Sequence, residues 1–257
     1  MSNLSKNVLF TTDRSQGMLL AGINWQTREV VMRIEQRIAI LNSLYALYEE
    51  TVSGFGFACG RHCTACCTCN VTCTTLEGWL VFDHLDDRSG PEALSRLAAV
   101  TAERYRPAVT LNQMASLCIE GREIPPEYND PAAGACPWLA DELCSLYAAR
   151  PFGCRAMLSS HDCTSSGAAR MPPFILSLNN VMMQYLEAID RPGGWGNLGD
   201  VLVWLSHDSR RRDYESGAMT DFSGPLIANR PMPALMIPPE HRERMRPIVK
   251  RIRNYSA

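Results

Sequence analysis

The sequence predicts a mostly α fold: a single helical domain of 257 residues built around an irregular, cysteine-rich segment. Three observations predict it. Apolar residues recur at three- and four-residue spacing wherever a period is legible. No alternation of period two runs long enough to support a sheet. Six of the eleven cysteines crowd into fifteen residues, "CGRHCTACCTCNVTC" from Cys59 to Cys73. No internal repeat, long linker or low-complexity tract divides the chain. It reads as one domain over 1–257, with a helical N-terminal part (1–56), a cysteine core (57–163) and a helical C-terminal part (164–257).

The first element is a long helix in "TREVVMRIEQRIAILNSLYALYEE", where Val30, Ile34, Ile38, Leu41, Tyr45 and Tyr48 form one apolar stripe. Beyond the cysteines, Thr74 and Glu77 have capping-box spacing ahead of "GWLVFDHL". Ser89 and Glu92 repeat it before "ALSRLAAVTAERY", as do Thr110 and Gln113 before "MASLCIEG". Three short helices are expected there. On the last of them Cys118 shares the apolar face of Leu111 and Met114 and reads as a small core residue. The Pro- and Gly-rich "REIPPEYNDPAAGACP" reads as a loop. "PPFILSLNNVMMQYLEAID" and "NLGDVLVWLSHD" are expected to be helical, and the last 29 residues to begin extended and end in a basic helix opened by prolines. Trp79, Trp138, Trp195 and Trp204 are expected to fill the core.

Composition narrows the function classes. A chain of this length buries a sufficient core without covalent staples, and eleven cysteines leave at least one unpaired in any intramolecular disulfide scheme. A reducing compartment fits better than a secreted one. The N-terminal stretch lacks the apolar run and small-residue cleavage pattern of a signal peptide, and no apolar run approaches the ~18 residues that span a bilayer. The expected location is cytoplasmic, with no membrane partner. The net charge of -2 offers no general attraction to nucleic acid. The basic tail, with Arg242, Arg244, Arg246, Lys250, Arg251 and Arg253, lacks an aromatic platform or nucleic-acid motif and reads as a solvated helix face. No phosphate-binding or dinucleotide-binding loop and no nucleophile elbow occurs.

The cysteines carry the chemistry. The first group, C-x3-C-x2-C-C-x-C-x3-C, comprises Cys59, Cys63, Cys66, Cys67, Cys69 and Cys73; a second follows about seventy residues on with Cys136, Cys144 and Cys154, then Cys163 beside His161. Thiolates at spacings of two and three converge on one metal without straining a turn, and a distant second group closes the coordination sphere. Adjacent side chains diverge, so Cys66 and Cys67 are expected to serve two metals or two irons of one cluster. Iron and zinc both accept thiolates. Cys136-Pro137 matches the Cys-Pro that ends ferredoxin-type motifs, and histidine is scarce. Both features favour an iron–sulfur cluster, [4Fe-4S] first, with zinc the alternative. His62 is a further candidate ligand or hydrogen-bond donor.

The order F-x-C, C-x2-C-C, "TTLE" and then "CPWL…CSLYAARPFGCR" resembles the CxxCxxCC cysteine-cluster family, also called YkgJ-like, described as zinc- or iron-chelating. The likeness runs from about Phe57 to Arg155. It implies that Cys63, Cys66, Cys67, Cys136, Cys144 and Cys154 bind metal and that Cys59 matches the leading family cysteine, although C-x3-C stands here where the family has C-x2-C. Cys69 and Cys73 are additions to the family pattern, open to a role as extra ligands or free thiols. Some flagellin lysine N-methylases look similar in this region.

The expected metal set is therefore Cys59, Cys63, Cys66, Cys67, Cys136, Cys144, Cys154 and Cys163. Arg150 and Arg155 flank the second group, where their charge would offset an anionic thiolate centre. Three functions follow: a metal-cluster protein for electron transfer, metal handling or support of a partner enzyme; a metal-dependent enzyme, for example one methylating protein lysine; or a structural zinc module presenting a surface to a protein partner.

Overall fold

The computed structural model describes residues 32–85, 92, 94, 95, 104–127, 134–218, 222 and 224–255. The predicted first stripe forms helix α1 (Ile34–Val52), burying Ile34, Leu41, Leu44, Tyr45, Leu47 and Tyr48. Val30 lies outside the described residues. The stripe also includes a residue that hydropathy leaves out: Arg37 is wholly buried, paired with Asp190 at 3.1 Å and donating to the Tyr214 hydroxyl at 3.0 Å.

Strand β1 (Thr72–Thr74) runs straight into helix α2 (Thr75–His84). The expected capping box forms there: Glu77 N donates to Thr74 Oγ1 at 3.2 Å, and Thr74 N donates to the Glu77 carboxylate at 2.8 Å. Of the second expected box, Ser89 is outside the described residues, while Glu92, Leu94 and Ser95 are helical. The third opens helix α3 (Leu111–Glu120) with Thr110 Oγ1 accepting from Gln113 N at 3.1 Å, and Gly121 closes it at φ 66°.

A two-residue hairpin joins β2 (Leu139–Ala140) to β3 (Leu143–Cys144), with positive φ at its turn residues Asp141 and Glu142. Two single helical turns follow, α4 (Phe152–Arg155) and α5 (Cys163–Ser166). Helix α6 (Pro173–Ile189) is the central element, with twelve buried residues against α1 and α3. Strand β4 (Gly194–Asn197) leads into α7 (Leu198–Leu205), and α8 (Asp208–Ser216), β5 (Ile227–Ala228) and α9 (Arg242–Tyr255) complete the chain. α7 lies on α2, where Gly78 leaves room for Val201 that a methyl group would fill.

The described residues are about half helical, and a small sheet accompanies the helices. The expectation of a chain without a sheet is corrected: β1, β4 and β5 form a three-stranded antiparallel sheet in the order β1-β4-β5, with Thr72 opposite Asn197 and Gly194 opposite Ala228. Its strands are two to four residues long, and all four of β4 are buried. A strand that short and buried on both sides leaves no alternation to read. No described helix is long and apolar enough to cross a membrane.

Three buried carboxylates hold the layers together. Asp190, at the end of α6, accepts from Arg37, Thr75 Oγ1 (2.6 Å), Leu76 N (3.0 Å), Tyr214 Oη (2.6 Å) and Asn229 Nδ2 (3.2 Å). Glu187 accepts from Asn112 N and Arg230 N, both at 2.8 Å. Glu77 is the third. Burial raises the pKa of all three, Asp190 to about 6 against the pull of Arg37.

An unfolded aspartate titrates near ~3.9, so the native state keeps protons that the unfolded chain has released. Unfolding free energy should therefore fall as pH rises from about 4 through about 6 and then level off. The lowered pKa values of Glu50 and Asp162 act in the opposite sense but belong to exposed groups. Urea unfolding across this range checks the sign, and Asp190→Asn should remove part of the slope. Stability rising with pH over the same window would contradict it.

Candidate functional site

Glu77 joins the two cysteine segments. Its Oε1 accepts from Tyr45 Oη at 2.8 Å and Phe152 N at 2.7 Å; its Oε2 accepts from Thr74 N at 2.8 Å and Thr74 Oγ1 at 3.0 Å. Thr74 directly follows Cys73, and Phe152 opens the turn that carries Cys154. One carboxylate thus sets the end of the first segment against the second. Gly153 completes the contact, since a Cβ there would stand 2.8 Å from the Thr72 carbonyl oxygen.

Backbone pairing closes the rest. Cys136 N donates to Cys67 O at 3.0 Å, Cys69 N donates to Gly134 O at 3.0 Å, and Thr68 bridges Ala135. The hairpin then turns back, with Leu139 N donating to Cys136 O and Cys144 in register with Leu139. At the other end of the first segment, Ala58 N donates to Ser159 O at 2.8 Å and Ser159 N to Cys59 Sγ at 3.2 Å. That contact draws Cys59 toward Cys163.

The thiols influence one another across both segments. Burial, then the charges of Cys67, Cys63 and Cys59, pushes the Cys66 thiol up to about 11. Burial, then Cys136 and Cys144, raises Cys67. Cys154 is pushed up to about 12 by burial, then by Cys136, Cys144, Cys66 and Cys67. Cys59 is raised by burial and further by Cys63 and Cys163. The adjacent cysteines have overlapping surroundings: Cys63 raises both, while Cys59 raises Cys66 and Cys136 and Cys144 raise Cys67. No disulfide joins the eleven cysteines. As the side chains stand, no group of three or more His, Cys, Asp or Glu among the described residues could hold a metal ion.

The remaining candidates have partners of their own. Cys73 is wholly buried in the core, its thiol raised by burial and then by Glu77. Cys69 Sγ donates to Ala135 O at 3.0 Å. Cys163 opens α5 with Sγ 3.9 Å from His161 O. His62 is exposed, with Nδ1 4.0 Å from Glu142. Arg155 is committed to protein groups: it pairs with Glu49, covers the Tyr45 ring at 4.2 Å and donates to the carbonyls of Arg150 and Ala148. Arg150 stacks on Tyr147 at 3.8 Å. Trp138, Trp195 and Trp204 are buried, as expected, whereas Trp79 is only half-buried, packed against the core from outside. Cys118 is only half-buried: α3 turns Asn112, Ala115 and Leu117 inward, because Asn112 is drawn in by its bonds to Gln184 O and Arg230 O.

Beside the thiols lies a cleft of about 100 Å³. Cys69, Cys136, Cys154, Trp138, Arg104 and Asn197 contribute to its walls. Comparison of the chain with family models, with curated proteins and with solved structures gives no match.

Sequence reading missed the cleft and the reach of Glu77. Glu77 was legible as a helix cap, but its two bonds to Tyr45 and Phe152 span 32 and 75 residues. Asn197 carried a local signal, an Asx cap before "LGD", confirmed by its bond from Gly199 N at 3.0 Å.

Glu77→Gln puts an amide among four donors and should cost ~1–3 kcal/mol, more than Tyr45→Phe, which removes one hydroxyl. Urea unfolding measures both, and faster amide exchange at Phe152 should accompany the first. Gly153→Ala should cost ~1–3 kcal/mol because the obstacle is backbone. A stability equal to that of the parent would show that the two segments are not pressed together at this point.

Proposed function

We propose that this chain is a thiolate metal-binding protein with a polynuclear centre, an iron–sulfur cluster of the [4Fe-4S] type first and zinc as the alternative. The observation that supports it most is the backbone pairing of Cys67 with Cys136. It joins the two groups that sequence spacing nominates, through main-chain bonds independent of side-chain rotamer. The donors fit the chemistry: soft thiolates, no disulfide, and few imidazoles. Cys67, Cys136, Cys144 and Cys154 would hold one part of the centre, and Cys59, Cys63, Cys66 and Cys163 the other.

Such a centre, when bound, supplies an electron-accepting site or a Lewis acid. The chain's own residues supply the frame: Glu77 and Gly153 hold the segments, and the walls of the cleft limit access. Electron transfer, metal handling and support of a partner enzyme are the roles that need only this. Membership of the YkgJ-like cysteine-cluster family and a reducing, cytoplasmic setting belong to the same reading. The cleft beside Cys136 and Cys154 favours a second reading, a metal-dependent enzyme.

Anaerobic purification tests the proposal. Bound iron with acid-labile sulfide and broad absorbance near roughly 400 nm is the expected result. Colourless protein with stoichiometric zinc would select the alternative, and metal-free protein after reconstitution with both would end the reading. Cys66→Ser, Cys67→Ser, Cys136→Ser and Cys154→Ser should each lower metal content or change the cluster, because a hydroxyl is a poor ligand for a soft metal, whereas Cys118→Ser should not. Metal removal should also increase amide exchange between the two segments.

A further inference from the structure

Trp138 is held between two of the candidate ligands. Its carbonyl accepts from Ser145 N at 2.9 Å and Ser145 Oγ at 3.1 Å, and Ser145 directly follows Cys144. Burial raises the Cys136 thiol, and the main-chain N–H of Trp138, donating to its sulfur, acts against that rise. The Trp138 ring is 6% exposed and lines the cleft together with Cys136 and Cys154.

The indole N–H of Trp138 is buried and has no acceptor in the protein. A buried donor left unmatched is costly, so its position calls for a partner. Several oxygens of the cleft wall are already committed: Cys69 O to Asn197 Nδ2 at 2.8 Å, Ala135 O to Cys69 Sγ at 3.0 Å, Cys136 O to Leu139 N at 3.1 Å, and Asn197 Oδ1 to Gly199 N at 3.0 Å. The sulfurs of Cys136 and Cys154 share that wall and change most as acceptors when a metal binds. A thiol accepts weakly, whereas a metal-bound thiolate is deprotonated outright and takes charge-assisted hydrogen bonds.

Building on the metal reading above, we propose that Trp138 is a positioning residue of the centre: its indole N–H donates to a ligating sulfur of Cys136 or Cys154 once metal is bound. Trp138 then offers the centre two donors, its amide and its indole. The consequence is electronic as well as structural. Hydrogen bonds to ligand sulfur withdraw negative charge and favour the reduced state of an iron–sulfur centre, so Trp138 raises its reduction potential. In the metal-free chain the same N–H stays unmatched, and the bond is gained only on loading.

Full-length ¹⁵N-labelled protein loaded with ¹¹³Cd, a diamagnetic thiolate-binding ion, gives the direct test. The Trp138 indole signal is assigned by its loss in Trp138→Phe or from neighbouring hairpin protons. It should move downfield on loading and show a coupling to cadmium, which an N–H···S–Cd contact produces and a purely structural role does not. In iron–sulfur-loaded protein, Trp138→Phe should lower the reduction potential. The ratio of oxidised to reduced centre at a fixed poise should rise about three- to tenfold, part of the worth of one hydrogen bond to a charged group. With zinc as the resident metal, or if the variant does not fold, the cadmium coupling decides alone. Loaded protein whose indole proton shows no coupling, or a folded variant with unchanged potential, would overturn the proposal and leave the metal reading standing. A chain that takes up no cadmium, iron or zinc would end both.

Discussion

The buried carboxylate of Glu77 is the constraint on which the arrangement of the cysteines depends. It accepts four hydrogen bonds, one from α1, two from the residue before α2 and one from the backbone that opens α4. Charge-assisted bonds of this kind are short and directional, so they fix position as well as contributing energy. Without that clamp, the two segments would be held only by the backbone pairing at Cys67–Cys136 and Cys69–Gly134 and by the contact at Gly153. With it, the second segment starts at the edge of the sheet, and the pairing of Cys67 with Cys136 continues the same contact outward.

Asp190 and Glu187 repeat the device in the helical layer. Asp190 gathers donors from α1, α2, α8 and the end of β5, all onto the last turn of α6, while Glu187 fastens α3 to the same helix. Each carboxylate is desolvated, which disfavours its charge, and each is compensated by donors drawn from distant segments. The core is consequently specified by directional bonds as well as by apolar packing. Arg37 shows the cost: it is fully buried, and two of its nitrogens have no partner in the protein.

The thiols sit at the margin of this frame. Cys73 alone is sealed in the core, whereas the remaining members of both groups are half-buried or exposed. The frame held by Glu77 and Gly153 thus lies directly beside the half-exposed thiols. The cleft lies between these thiols and the start of α7, and its walls come from five separate stretches of the chain.

The sequence by itself determined the helices and their caps. Apolar spacing in α1 and α6 and the Thr-x-x-Glu signature at Thr74 are local patterns, and local patterns are legible because 3.6 residues per turn sets them. It also nominated the two cysteine groups, since ligand spacing is local too. Only the tertiary structure decided the rest. The sheet is built from strands too short to show a period. Cys66 is raised by Cys59 and Cys67 by Cys136 and Cys144, with Cys63 acting on both. Cys118 left the buried face because Asn112 was drawn inward by partners 72 and 118 residues away. Arg155, beside the thiols in sequence, was taken by Glu49 and Tyr45. Each of these turns on a contact between residues far apart in the chain, which no window of neighbouring residues records.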